Sequence, residues 1–314
     1  MVNDNQPCSQ TADKSCAPAA ESTSVHCTSL VFTADLARQV LASAQEPIAI
    51  ALPEGVESIA PECFKDSCIV RIMLPSTLVS IGREAFDGCT SLEAVTFAPG
   101  TRLREIGSDA FNMCTHLERI ELPDTVQYLR KHCFCGSGLV EITLPGSVRR
   151  VERKAFAQCW KLTNVTISEG VESVEEGCFW QSGVVSVQVP KSLKRIAENA
   201  FRECYALERV AVPADAALEE VKKCAFAKTG IKELAIPGSV AVIREEAFSA
   251  CRKLSKLTFE ANSRLHTLSE SSFADCSGLC EVIFSSDYQL ERFRAAMLLS
   301  QLKRVTFQEG LENI

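Results

Sequence analysis

A block that recurs every 22 to 25 residues around one phenylalanine constrains this chain more than any other feature. Phe64, Phe86, Phe111, Phe134, Phe156, Phe179, Phe201, Phe226, Phe248 and Phe273 mark its ten copies. A fixed period of this size is the signature of a solenoid. One unit is too small to bury its own apolar face, so it must stack on its neighbours. Length alone, at 314 residues, suggests about two domains. A solenoid overrides that expectation, because its core is continuous whatever its length.

The unit from Ile106 to Pro123 gives the template: Ile-x-x-x-Ala-Phe-x-x-Cys-x-x-Leu-x-x-Ile-x-Leu-Pro. Its Ile-x-Leu step has the period of two expected of a strand with one apolar side. The same pair recurs at Ile72/Leu74, Ile142/Leu144, Val165/Ile167 and Leu257/Phe259, among others. Successive strands lie one repeat apart and run the same way, which predicts a parallel sheet on the concave side. Proline follows most of these strands, as at Pro75, Pro145 and Pro237, where its missing N–H ends pairing and opens a turn. The Ala-Phe stretch reads as a short helical or 3-10 turn on the convex side.

Two variants of the repeat occur. One carries Ala-Phe-x-x-Cys-x-x-Leu, as at Phe86, Phe111, Phe156, Phe201 and Phe248; the other carries Cys-Phe-x-x-Ser-Gly-Leu, as at Phe134 and, with Val184 for the Leu, at Phe179, and is one residue shorter. The exchange reads as volume compensation in a packed interior. Three repeats gain two residues after the strand, at Pro99–Arg102, Ala214–Ala217 and Ala261–Arg264, which reads as surface loops along one edge. The sixteen cysteines contain no Cys-x-x-Cys, and most sit at fixed repeat positions. They read as buried free thiols rather than a disulfide framework. Cys89/Cys114 and Cys251/Cys276 are the pairs that a disulfide reading would test.

The run Leu74-Pro75-Ser-Thr-Leu78-Val-Ser-Ile81-Gly82-Arg-Glu-Ala85-Phe86-Asp-Gly-Cys89-Thr-Ser-Leu92 resembles the BspA-like class of leucine-rich repeat proteins. The resemblance covers roughly residues 46 to 285 and a last fragment. It implies a leucine-rich repeat solenoid: a right-handed α/β-type superhelix with a parallel concave sheet and short helical or 3-10 turns on the convex side. It also implies a non-enzymatic protein at the cell surface or secreted, engaged in adhesion to a host or matrix protein or a glycoprotein. No catalytic residues belong to the family.

Three segments are expected. Residues 1–27 lack periodicity and read as disordered. Residues 28–46 read as an N-terminal cap, with a helix opened by Thr33 and an apolar face of Leu36, Val40 and Leu41. Residues 47–314 form the solenoid, with an atypical helical repeat at about 287–300 and a half repeat at the end. The first residues have neither a basic nor an apolar signal region. With the regular cysteines, that favours a cytoplasmic location. An intracellular interaction or regulatory module, inhibitor-like in kind, or the sensor fragment of a longer protein, is therefore the alternative to the surface reading.

A net charge of −7 argues against nucleic acid as the main partner, and no apolar run reaches the roughly 18 residues of a membrane helix. Direct membrane insertion is not expected, and neither a metal nor a cofactor motif is present. The outward strand residues are small and mildly polar, which suits a broad protein or glycan contact. Arg119, Glu141, Arg209, Glu233 and Lys256 lie in one outward column. Trp160, Trp180 and Tyr205 depart from the core template, and Trp and Tyr dominate interface hot spots. These eight residues are the candidate protein-binding site. The sequence leaves the oligomeric state open.

Overall fold

The computed structural model describes residues 31–43, 48–284 and 304–307. Each coil has three sides. The first is a long strand, as in Arg71–Leu74, Glu141–Leu144 and Lys256–Phe259, with alternate residues buried. The second is a two-residue strand, as in Ser80–Ile81 and Val242–Ile243. The third is the phenylalanine turn. Proline separates the first two sides in the expected manner. The carbonyls of Pro123, Pro145 and Pro237 accept from the N–H groups of Val126, Val148 and Val240 at 3.0, 3.0 and 3.1 Å, closing a turn.

Both ladders are parallel, but they differ in continuity. The two-residue strands form one sheet of eleven strands, from Val31–Phe32 to Thr267–Leu268. The long strands fall into three sheets. The first break lies at residues 119–122, where a single bridge joins Ala94 to Arg119. The second lies between Arg209–Ala211 and Glu233–Ile236.

The expected α/β superhelix with helical convex turns is not what forms. The chain folds as a nearly all-β parallel solenoid, and the helix Ala34–Ser43 is the one helix among the described residues. The reason lies in the backbone around each phenylalanine. The residues two before and two after it are left-handed: Glu84 (φ 54°) and Gly88 (φ 71°) flank Phe86, and Lys154 (57°) and Gln158 (58°) flank Phe156. A helix needs consecutive right-handed residues. The hydrogen bonds confirm the difference. The N–H groups of Phe86, Phe111, Phe156 and Phe201 donate to carbonyls of the next coil at 2.7–2.8 Å, not to carbonyls of their own turn.

The core is a stack. Ten successive ring pairs, from Phe32–Phe64 to Phe248–Phe273, have centroids 5.0–5.6 Å apart and planes within 13° of parallel. Full burial of each ring contributes about 1.5–3 kcal/mol, and offset stacking adds about 0.5–1.5 kcal/mol per pair. Phe32 lies upstream of the ten repeat copies and yet opens the stack. Val31–Phe32 pairs in register with Ser58–Ile59, so the segment before the helix supplies the first rung. The helix starts at Thr33, whose Oγ1 accepts from Leu36 N at 3.4 Å, and it buries Ala37 and Val40. The expectations for residues 1–27 and about 287–300 fall outside the described residues.

Candidate functional site

The long-strand face carries the outward column, in register within each of its three sheets. Ala94 bridges Arg119, Glu141 pairs with Asn164, Ser186 with Arg209, and Glu233 with Lys256. Arg119 and Glu141 form an ion pair at 3.5 Å across the first break, and Arg304 meets Glu281 at 3.4 Å. These exposed pairs are each worth about 0–1 kcal/mol. Arg209 and Glu233 stand on opposite sides of the second break.

Both breaks coincide with hollows or inserted loops. A cleft of about 600 Å³ opens at the first, between Glu93–Ala98 and Arg119–Asp124, with Thr101 on its wall. Thr101 belongs to the first inserted loop, and its buried hydroxyl has no hydrogen-bond partner. The other two inserted loops, 214–217 and 261–264, border one cleft of about 570 Å³ with Gly238 and Ser239 between them. Sequence reasoning located the loops but not their convergence, because they lie two coils apart. A smaller hollow of about 500 Å³ lies on the strands Asn164–Ile167 and Ser186–Gln188.

The three singled-out aromatics differ in exposure. Trp160 and Tyr205 are 62% and 60% exposed and hold the same repeat position two coils apart. The coil between them supplies Gly183, which leaves a notch. Its N–H donates to Cys159 O at 3.0 Å, and a Cβ there would stand 2.2 Å from Trp160 O. Gly138 and Gly230 repeat this close approach on either side, so two rings rise from a row of glycines. Trp180 is half-buried on the phenylalanine turn, with Lys154 Nζ 4.8 Å from its ring centroid.

A family model for the BspA type leucine-rich repeat region matches residues 44–159, 98–208, 129–254 and 219–314. The chain belongs to the BspA-type leucine-rich repeat family. Among solved structures, the chain is similar to a leucine-rich repeat protein from Bacteroides ovatus. The two share 28% identity over 84% of this chain and 70% of that one, with a TM-score of 0.68. It is also similar to a leucine rich cell surface protein from Faecalibacterium prausnitzii, at 22% identity over 85% and 89% of the two chains and a TM-score of 0.53. No curated protein matches the chain.

In this BspA-type chain the repeated cysteine has a defined task. The thiols of Cys89, Cys114, Cys159, Cys204, Cys251 and Cys276 each donate to a phenylalanine carbonyl of the preceding coil, at 2.9–3.2 Å. The Ser of the short variant faces the Cys of the next long one: Ser137 meets Cys159 at 3.4 Å and Ser182 meets Cys204 at 3.3 Å. The exchange is thus a hydrogen-bonding arrangement as well as a volume compensation. Burial pushes Cys89 and Cys204 up to about 11 and Cys159 to about 12, so these thiols stay neutral and unreactive. All thirteen described cysteines are free, Cys89, Cys114, Cys251 and Cys276 included.

Among the described residues no group of three or more His, Cys, Asp or Glu side chains is placed to hold a metal ion. No described helix is long and apolar enough to cross a membrane.

Proposed function

We propose that this chain is a non-enzymatic protein-binding scaffold that works in adhesion at a cell surface, with the Trp160–Tyr205 ridge as its principal contact. The observation that carries the reading is the exposure of two large aromatic side chains on a frame fixed by hydrogen-bonded coils, with a glycine notch between them. Aromatic anchors of this kind contribute most where a partner fills the space around them. The outward column with Arg119, Glu141, Arg209, Glu233 and Lys256 supplies a polar surface for register rather than for affinity. Trp180 acts as a support on an adjacent side.

The surface reading draws on the family and on the Faecalibacterium prausnitzii relative, described as a cell surface protein. The free thiols favour a second reading, an interaction module in a reducing compartment. One experiment separates the two. The chain is immobilised and cross-linked against cell-surface and cytosolic protein fractions, beside a Trp160→Ala/Tyr205→Ala variant. Capture of a surface protein that the variant loses is expected. Capture of cytosolic proteins alone overturns the surface reading, and full retention by the variant overturns the ridge.

A further inference from the structure

The charge of this acidic chain is unevenly distributed on the side of the coil that carries the two-residue strands. In two adjacent coils, the stretches 127–132 and 149–154 hold Arg130, Lys131, Arg149, Arg150, Arg153 and Lys154 against one carboxylate, Glu152. The corresponding stretch of the next coil, 172–177, holds Glu172, Glu175 and Glu176 and no cation. The preceding coil adds Arg104 on the same row. Gln127 N donates to Arg104 O at 2.8 Å and Arg149 N to Gln127 O at 2.9 Å, so these residues occupy successive rungs. Arg104 and Arg149 are therefore about 10 Å apart along the stack.

Part of this charge is already engaged. Arg130 grips Glu105 with two bonds of 2.9 Å and Glu152 with one of 2.8 Å, and Arg153 meets Glu176 at 3.0 Å. Among the described residues no carboxylate forms an ion pair with the side chains of Arg104, Lys131, Arg149 or Arg150, all of them exposed, although Glu152 accepts from the Lys131 backbone N–H at 3.2 Å. The result is a narrow basic band, two to three coils wide, that ends abruptly at an acidic one.

We infer that this band binds a single chain of sulfated polysaccharide, laid along the two basic stretches. Four features select that occupant. The unpaired cations are mostly arginine, whose planar fork matches the oxygens of a sulfate. No large exposed apolar side chain lies within the two stretches, so the band offers no anchor of the kind a peptide partner needs. The next coil offers no cation over 172–177, and its Glu172 and Glu176 are held by Lys194 at 3.1 Å and Arg153 at 3.0 Å, so the free positive charge ends there and favours a polyanion one strand wide over a nucleic-acid duplex. A single nucleic-acid strand binds through exposed stacking rings, and the rings near this band are covered: Arg130 lies 4.9 Å over Tyr128, and Lys154 over Trp180. The inference is independent of the Trp160–Tyr205 ridge.

The test uses a heparin-derived octasaccharide, titrated into the whole chain at about 0.15 M salt and again at higher salt. The variant is Arg149→Glu/Arg150→Glu. The control is Lys223→Glu/Lys253→Glu, which changes net charge equally at exposed sites elsewhere. Binding that weakens with salt, and that falls about tenfold or more in the variant while the control keeps it, is the expected result. A milder Lys131→Gln/Arg149→Gln variant, expected to lose less, serves if the first does not fold. Absence of binding by the native chain overturns the inference, as does equal loss in the control. Equal affinity for a desulfated octasaccharide, a polyglutamate peptide or a single-stranded oligonucleotide overturns it as well.

Discussion

The phenylalanine side and the long-strand side of the same coils behave differently. Along the first, eleven rings stack without interruption, and phenylalanine N–H groups donate across to the next coil from Phe64 to Phe248. Along the second, the ladder opens twice. The contrast follows from what each column places inside. One column is always Phe, so every ring meets a ring of its own size. The other changes size from coil to coil, from Leu74 to Phe97, Leu122, Leu144, Ile167 and Val189. At both breaks, the strand on the near side is followed by a two-residue insertion. The third insertion follows Lys256–Phe259, yet the ladder there stays closed, because Phe259 stacks on Phe284 at 5.5 Å. Uniform side chains make a continuous stack, and an inserted loop opens the sheet unless a ring pair holds it.

The largest test removes a ring from the continuous column. Phe156→Ala is expected to cost about 3–5 kcal/mol in urea-induced unfolding. Thr166→Ala, on the outward long-strand face, is expected to stay within about 0.5 kcal/mol. Next comes pH. Below about 8.5 the thiols are neutral in both the folded and unfolded chain, and stability does not depend on them. Above that, the unfolded thiols ionise while Cys89, Cys159 and Cys204 hold their protons up to about 11–12. Stability therefore falls with rising pH over that window. Thermal unfolding in reducing buffer between pH 8 and 11 measures it, and a flat profile would contradict buried, neutral thiols.

Smaller effects probe the turn and the break. Gly183→Ala pushes a Cβ to 2.2 Å from Trp160 O and is expected to cost about 1–3 kcal/mol. It should also shift the Trp160 fluorescence. Leu122→Phe offers Phe97 the ring partner that Phe284 gives Phe259. It is expected to add about 0.5–1 kcal/mol and to slow amide exchange at Glu121.

Much of this architecture was legible from residue spacing. The strand register, the outward column and the ring positions follow from a period that places identical residues on identical rungs. The turn conformation was not. Ala-Phe flanked by polar residues has the composition of a helical turn. The left-handed geometry at Glu84, Lys154 or Asn199 depends on hydrogen bonds from the adjacent coil, which no local pattern reveals. Phe32 escaped for a related reason: it joins the stack without the Ala-Phe template around it. The candidate site was legible as a set of unusual residues, but not as a shape. Nothing in the spacing of Trp160, Trp180 and Tyr205 tells that two of the rings are exposed and the third is half-buried under Lys154.

Native-state hydrogen exchange resolved by residue tests the central claim most directly. The amides of Phe86, Phe111, Phe134, Phe156, Phe179, Phe201 and Phe226 are expected to exchange only through global unfolding, with matching free energies. The amides of Glu121 and Leu122, in the first break, are expected to exchange several kcal/mol more readily. Equal protection in the two sets, or faster exchange along the phenylalanine column, would contradict the account.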